Sequence, residues 1–240
     1  MKKLILSAMI VCSALAAFAA DPVVEFKLNE GSGKVVKDSA GTVKGEVCFP
    51  ENTQWIDGRD EGSKALYFTG VPDKTRKGGC VRLYTGKTVD FTKPFTVMYY
   101  FYLDKKLPRA STKEMVSCSK GESGAGFRTL FSWNRICFWT GNGKKRTELN
   151  TNPSKVKVAR GVWQHLAITF DNGKAVIYFN GTKVAERDKM MPVTEFPAVM
   201  DIASYKRGYA YNFNGAISDV KVFNTALTDK EILAVVKGIE

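Results

Sequence analysis

Short runs rich in Val, Ile, Thr, Phe, Tyr and Trp recur along the chain, separated by Gly, Asn, Asp and Pro. Alternation within the runs is the period of a half-buried strand, and the spacing of the breakers predicts an all-β protein. The clearest strands are residues 23–28, 65–69, 80–84, 95–103, 127–133, 135–140, 162–170, 175–179 and 216–223, enough for two packed sheets. Residues 46–49 and 115–118 are further strand-like runs. Between Trp163 and Glu186 the dipeptides Asn172-Gly173 and Asn180-Gly181 separate β-rich runs. Both residues of an Asn-Gly pair accept the positive φ of a tight hairpin turn, so this stretch predicts a three-stranded meander. Helical period appears only at the end. Thr228 with Glu231 forms a capping box, Leu227 and Ile232 stand at the staple positions, and Ile232, Leu233, Val235 and Val236 make an apolar stripe that Gly238 terminates.

The beginning of the chain is different in kind. Lys2 and Lys3 precede an apolar run over residues 4–17 and a small-x-small site at Ala17-Phe18-Ala19, the order of a secretory signal peptide. Cys12 follows Val11 rather than a small residue, which favours ordinary cleavage after Ala19 over lipid modification. The expected organisation is a signal peptide at 1–19 and one β-sandwich domain at 20–240, secreted to the periplasm or the exterior. The apolar run is shorter than the roughly 20 residues a spanning helix needs.

Export changes the reading of charge and cysteine. The formal net charge of +12 favours anionic partners, yet the basic residues lie in small groups such as Lys105-Lys106, Lys144-Lys145-Arg146 and Lys206-Arg207. No long basic run marks a nucleic-acid tail. Cys48, Cys80, Cys118 and Cys137 remain after cleavage, and an even number in an exported chain predicts two disulfides. Proximity in sequence suggests Cys48 with Cys80 and Cys118 with Cys137.

Three segments in order resemble the laminin-G-like jelly-roll family of the concanavalin A-like lectin/glucanase superfamily. Val24-Glu25-Phe26-Lys27-Leu28-Asn29-Glu30-Gly31-Ser32-Gly33 with Asp38-Ser39-Ala40-Gly41 is similar to its first strand and turn. The stretch from Gly161 through Phe170-Asp171 to Phe179-Asn180-Gly181 resembles its meander, and that from Phe213-Asn214-Gly215 to Leu227-Thr228 its last strand and helix entry. The resemblance implies a two-sheet antiparallel jelly-roll sandwich with one short C-terminal helix. It also implies a structural Ca²⁺ near the first turn and the last strand, for which the matching residues are Asp38 and Asp219. Thr42-Val43-Lys44 and Ser218 depart from the family pattern there, and Lys44 opposes a cation by charge.

The fold hosts lectins, adhesion modules, hydrolases and lyases, so function has to come from residues. The Glu-x-Asp-x-x-Glu hexad of related glycan hydrolases is absent; the nearest approach is Glu186-Arg187-Asp188-Lys189-Met190-Met191, at a strand end. His165 is the sole histidine, and its place on a strand predicts a buried ring satisfied by backbone. No catalytic residue is assigned. Residues 204–213 hold more aromatics and cations than a connection requires. If extended, they align Tyr209, Tyr211 and Phe213 on one side, with Lys206 and Arg207 beside them for carboxylate or sulfate groups. Tyr205, Lys206, Arg207, Tyr209 and Tyr211 are therefore the expected glycan-binding residues. These features predict a non-catalytic carbohydrate-binding or adhesion module whose partner is a glycan, acidic glycans included, or a glycan-bearing surface. A glycan-degrading enzyme and an extracellular protein-interaction domain are the alternatives.

Overall fold

The computed structural model describes residues 20–70, 77–121 and 124–238; the expected signal peptide lies outside them. The chain runs through β1 (Val24–Phe26), β2 (Val35–Lys37), β3 (Lys44–Cys48), β4 (Thr53–Asp57), β5 (Lys64–Phe68), β6 (Cys80–Tyr84), β7 (Phe95–Leu103) and β8 (Thr112–Ser119). It continues through β9 (Gly126–Ser132), β10 (Arg135–Gly141), β11 (Arg146–Asn150), β12 (Trp163–Asp171), β13 (Lys174–Phe179), β14 (Thr182–Arg187), β15 (Met200–Ile202) and β16 (Gly215–Phe223), and ends in helix α1 (Asp229–Lys237). The described strands form two 8-stranded sheets. The first runs β14-β13-β12-β7-β16-β5-β4, with β1 also on β16; the second runs β11-β10-β9-β8-β15-β6-β3-β2. Pairing is antiparallel throughout both, as in the expected jelly-roll sandwich.

Period two decides which side chains meet between the sheets. On β7, Phe95, Val97, Tyr99, Phe101 and Leu103 are buried in the core, while Tyr100 and Tyr102 turn outward. From the second sheet Val81, Leu83, Phe127, Phe131, Ile136, Phe138, Met200 and Ile202 face them. Phe91 meets Phe127 edge-on with ring centres 4.8 Å apart, and Phe95 lies 5.5 Å from Phe170. Each such side chain contributes about 1.5–3 kcal/mol of hydrophobic stabilisation. The Tyr99 hydroxyl is not wasted in this apolar layer: it bonds Thr129 Oγ1 on the opposite sheet at 2.7 Å.

Local signals are realised at the meander and the helix. Asn172 and Gly173 have φ of 46° and 85°, and Asn180 and Gly181 have 50° and 78°, so both hairpins turn through the left-handed region as their sequence predicts. Thr228 accepts from the Glu231 N–H and the Glu231 side chain returns the bond, completing the capping box. Ile232 and Val235 pack on Met98, Ala167, Val176 and Tyr178 of the first sheet's outer face, but Leu233 is exposed and leaves the expected stripe.

The cysteine expectation needs correction. All four are free thiols. Cys118 and Cys137 cannot pair as expected, because β9 lies between their strands and their side chains point to opposite faces. Cys118 joins the core, donating to the Pro197 carbonyl at 3.4 Å, whereas Cys137 alternates with core-facing Ile136 and Phe138. Cys48 and Cys80 do stand opposite each other on β3 and β6, on the outer face of the second sheet.

Candidate functional site

Residues 203–214 connect β15 to β16 across the outer face of the second sheet, and they are folded rather than extended. Lys206, Arg207 and Tyr211 have φ of 51°, 54° and 54°, unusual for residues with side chains. What holds them there is a buried hydroxyl: Ser204 Oγ accepts from the Gly208 N–H at 2.9 Å and bonds Asn212 Oδ1 at 2.8 Å. Asp201 adds a second clamp, accepting the Arg207 N–H at 3.0 Å and the Arg82 guanidinium at 2.7 and 2.8 Å. Gly208, at φ 88°, accepts the Gly78 N–H at its carbonyl, and any Cβ there would stand 2.5 Å from the Gly78 oxygen. Only glycine fits.

This folding disperses the expected aromatic row. Phe213 enters the core, and Tyr205, only 3 % exposed, packs 6.3 Å from the half-buried Tyr211. Both rings flank Arg128, whose guanidinium centre is 4.2 Å from the first and 5.2 Å from the second, with Trp139 at 5.0 Å. Arg128 is itself held by buried Glu114, through contacts of 2.6 and 3.0 Å. Tyr205 and Tyr211 therefore belong to a buried cation–aromatic stack that anchors the loop, and their role is positional.

Tyr209 is the exception. Its ring is 66 % exposed, and Lys77 Nζ stands 4.6 Å from its centre and 5.2 Å from that of Phe49. Beside it, Arg207 reaches to β3, where one terminal nitrogen donates to Glu46 Oε1 at 2.8 Å and Nε to Cys48 Sγ at 3.3 Å. The exposed Tyr84 hydroxyl donates to the same Glu46 oxygen at 2.6 Å. Glu46 is held below its ordinary value first by that Tyr84 bond and then by the Arg207 charge, so it stays a carboxylate. The expectation that Arg207 stands ready for a carboxylate or sulfate group is corrected: two of its nitrogens are already engaged. Lys206 remains exposed at the loop surface.

Glu46 and Tyr84 also line an open groove of about 730 Å³ along β2 and β3, whose other walls include the exposed Val35 and the half-buried Asp38. Groove and loop thus form one continuous surface: exposed Val35 and Tyr84, the Glu46–Arg207 pair, then Lys77 and Tyr209. Exposed rings beside charged donors are the chemistry that stacks on sugar rings and bonds their hydroxyls. Sequence reasoning found Tyr209 and Arg207 but missed Tyr84, Glu46 and Lys77, which topology alone brings to them.

The two calcium candidates do not form a shared site. The Asp38 carboxylate is filled by the N–H groups of Glu25, Ala40, Thr42 and Val43 at 2.7–3.1 Å and by the Thr42 hydroxyl at 3.0 Å. Asp219 lines a different cavity, beside Arg59. Among the described residues no group of three or more His, Cys, Asp or Glu is placed to hold a metal. A Ca²⁺ bridging Asp38 and Asp219 does not fit these residues. Glu186, the first acid of the near-hexad, lies on edge strand β14 within reach of Lys174 and Lys183. His165 is buried on the outer face of the first sheet; its ring Nδ1 has no partner among the described residues, contrary to the backbone-satisfied ring expected.

Sheet order, core and loop placement define a lectin-like jelly-roll sandwich. Residues 73–233 match the family model described as the Concanavalin A-like lectin/glucanases superfamily, and the chain belongs to that superfamily. Similar solved structures include the binding domain of botulinum neurotoxin DC in complex with rat synaptotagmin II (TM-score 0.71, 15 % identity, covering 91 % of this chain and 52 % of that one). The same binding domain in complex with SialylT gives TM-score 0.71 and 15 % identity over 91 % of this chain and 51 % of that one. The botulinum neurotoxin serotype G binding domain gives 0.69 and 14 % over 90 % and 51 %. The chain spans about half the length of these solved chains, and at such identity the likeness is one of fold. No curated protein matches the chain.

Proposed function

We propose that the chain is an exported, non-catalytic binding module that holds a glycan or a glycan-bearing surface along the β2–β3 groove and the adjoining loop. The observation that carries this reading is the placement of Tyr209. A large ring left 66 % exposed, fixed on a loop clamped by Ser204, Asp201 and Arg128, is a preorganised stacking platform. The Lys77 ammonium over it and the Arg207–Glu46–Tyr84 group supply the polar contacts. Similar solved sandwiches described as binding domains support a recognition role, and the leader-like residues 1–19 support export.

The test is a glycan array followed by titration of the best ligand. Tyr209→Ala and Tyr84→Ala should each weaken binding about tenfold, equivalent to about 1.4 kcal/mol, and leave the melting temperature unchanged, since both rings are exposed. Unaltered affinity in both variants would remove this surface from the reading. An array without ligands combined with specific capture of a protein would replace the glycan by a protein partner, and release of reducing ends from a polysaccharide panel would make the chain an enzyme.

A further inference from the structure

The other sheet carries a second concavity, independent of the groove. Across the outer face of β12, β7 and β16, His165, Tyr100 and Ser218 are register partners. Immediately after Ser218, β16 inserts one extra residue against β7 before Lys221 pairs with Met98. That bulge puts Asp219 at φ 52°, a left-handed conformation that costs energy for a residue with a side chain. Bulges of this kind re-aim side chains, and this one places Asp219 beside Arg59 in a cavity of about 310 Å³ between the sheet and the last turn of α1.

The polar groups of this cavity are unevenly used. His165 is 2 % exposed, and its buried Nδ1 has no hydrogen-bond partner among the described residues. Burial, with the charges of Arg59 and Lys221 adding to it, lowers the ring to about 3, so it is a neutral imidazole with one donor and one acceptor nitrogen. Asp219 takes the Ser218 hydroxyl at 2.9 Å, and burial raises its carboxyl. The Arg59 guanidinium stands over the Tyr100 ring, 3.7 Å from its centre, with one nitrogen on Asp60 at 2.8 Å. Met98 and Val235 supply apolar wall.

We infer that this cavity is a binding site for a neutral, hydroxyl-rich ligand of about one sugar ring. Elimination by charge gives the class. Arg59, Lys221 and Lys237 are matched by Asp219 together with Asp60 on Arg59 and Glu25 on Lys221, so the surroundings are near charge balance and favour neither a phosphate or sulfate nor an ammonium. A vicinal diol donates and accepts at once, so it satisfies a carboxylate, a guanidinium fork and a neutral imidazole together. The volume lies at the lower limit of small-molecule pockets, and a stacked arginine, a strained aspartate and an unpaired buried nitrogen are what a site held ready for its ligand displays.

His165 is the only histidine in the chain, so its ring nitrogens report on the cavity without assignment. Long-range ¹H–¹⁵N spectra recorded against methyl glucoside, methyl mannoside, methyl galactoside and methyl N-acetylglucosaminide should show a saturable shift of the Nδ1 resonance for at least one of them. Asp219→Asn, which keeps a residue tolerant of positive φ, and Arg59→Ala, on an exposed loop, should each weaken that titration at least tenfold. Tyr209→Ala should leave it unchanged, which separates this site from the groove. The inference is overturned if no pyranoside shifts the resonance. It is equally overturned if phosphate or butylamine shifts it as the sugars do, or if both folded variants titrate like the native protein.

Discussion

At the scale of single residues, one thiol stands apart. Val47 donates its N–H to Lys34 of the neighbouring β2 side, so by alternation the backbone of Cys48 faces β6 and its partner Cys80. The Cys48 thiol is lowered to about 7, first by the hydrogen bond from Cys80 and further by the Arg207 guanidinium, against the effect of burial. Donation to Cys48 raises Cys80, and burial raises Cys118 and pushes Cys137 up to about 12. The thiolate is the reacting form. Alkylation of the folded, reduced protein by iodoacetamide, followed by mass mapping, should therefore mark Cys48 first, with a rate that rises through a midpoint near pH 7. Arg207→Ala should move the midpoint upward. Equal labelling of Cys118, or a midpoint at the ordinary thiol value, would contradict a Cys48 thiolate favoured by Cys80 and Arg207.

Elements show where burial of charge replaces burial of hydrocarbon. On β8 and β9, Glu114 and Arg128 form an ion pair with side chains 0 % and 3 % exposed, roofed by Tyr205 and Tyr211. Burial raises the Glu114 carboxyl while the Arg128 bonds draw it back. Removing one partner of such a pair strands the other charge and costs about 3–5 kcal/mol, whereas an apolar replacement of both is often neutral. Glu114→Gln should lower stability by that order in urea unfolding, and Glu114→Leu with Arg128→Met should recover most of it. If the double variant is as unstable as the single one, the pair is not the source of the cost. The elements that were readable differ from those that were not in a physical way. Residues 95–103 alternate inward and outward rings over a full strand and coincide with β7. β2 and β15 are three residues long and β4 has no fully buried residue, so the period had too little length or contrast to register. The same limit applies at the sites. An excess of tyrosine in 204–213 was visible, but the left-handed backbone at Lys206, Arg207 and Tyr211 is imposed by Ser204 and Asp201, and the bulge at Asp219 by its pairing with β7. Neither leaves a mark in the local sequence.

The whole molecule carries a formal charge of +12 at pH 7, and acidification raises it further, so self-repulsion grows as pH falls. That contribution acts on the chain broadly; His165 acts at one point. Its folded value of about 3 lies well below the roughly 6.5 of an exposed histidine. Below pH 6.5 the unfolded chain binds a proton at this residue that the folded chain refuses. Linkage then gives a positive slope of stability against pH: the contribution is complete above about 6.5 and is lost progressively toward 3, by up to about 1.4 kcal/mol per pH unit. The carboxylates titrate in the lower part of the same window, some with the opposite sign, since burial raises Glu114 and Asp219. Comparison with His165→Gln cancels their shared part, because glutamine retains a neutral polar group without the proton equilibrium. Urea unfolding from pH 7 to 4 should show the native protein losing stability relative to the variant from about pH 6 downward, with one additional proton taken up on unfolding. Parallel curves for the two proteins would mean that the ring is protonated in the folded state, and Asp219, not a neutral imidazole, would then govern the polarity of the cavity under α1.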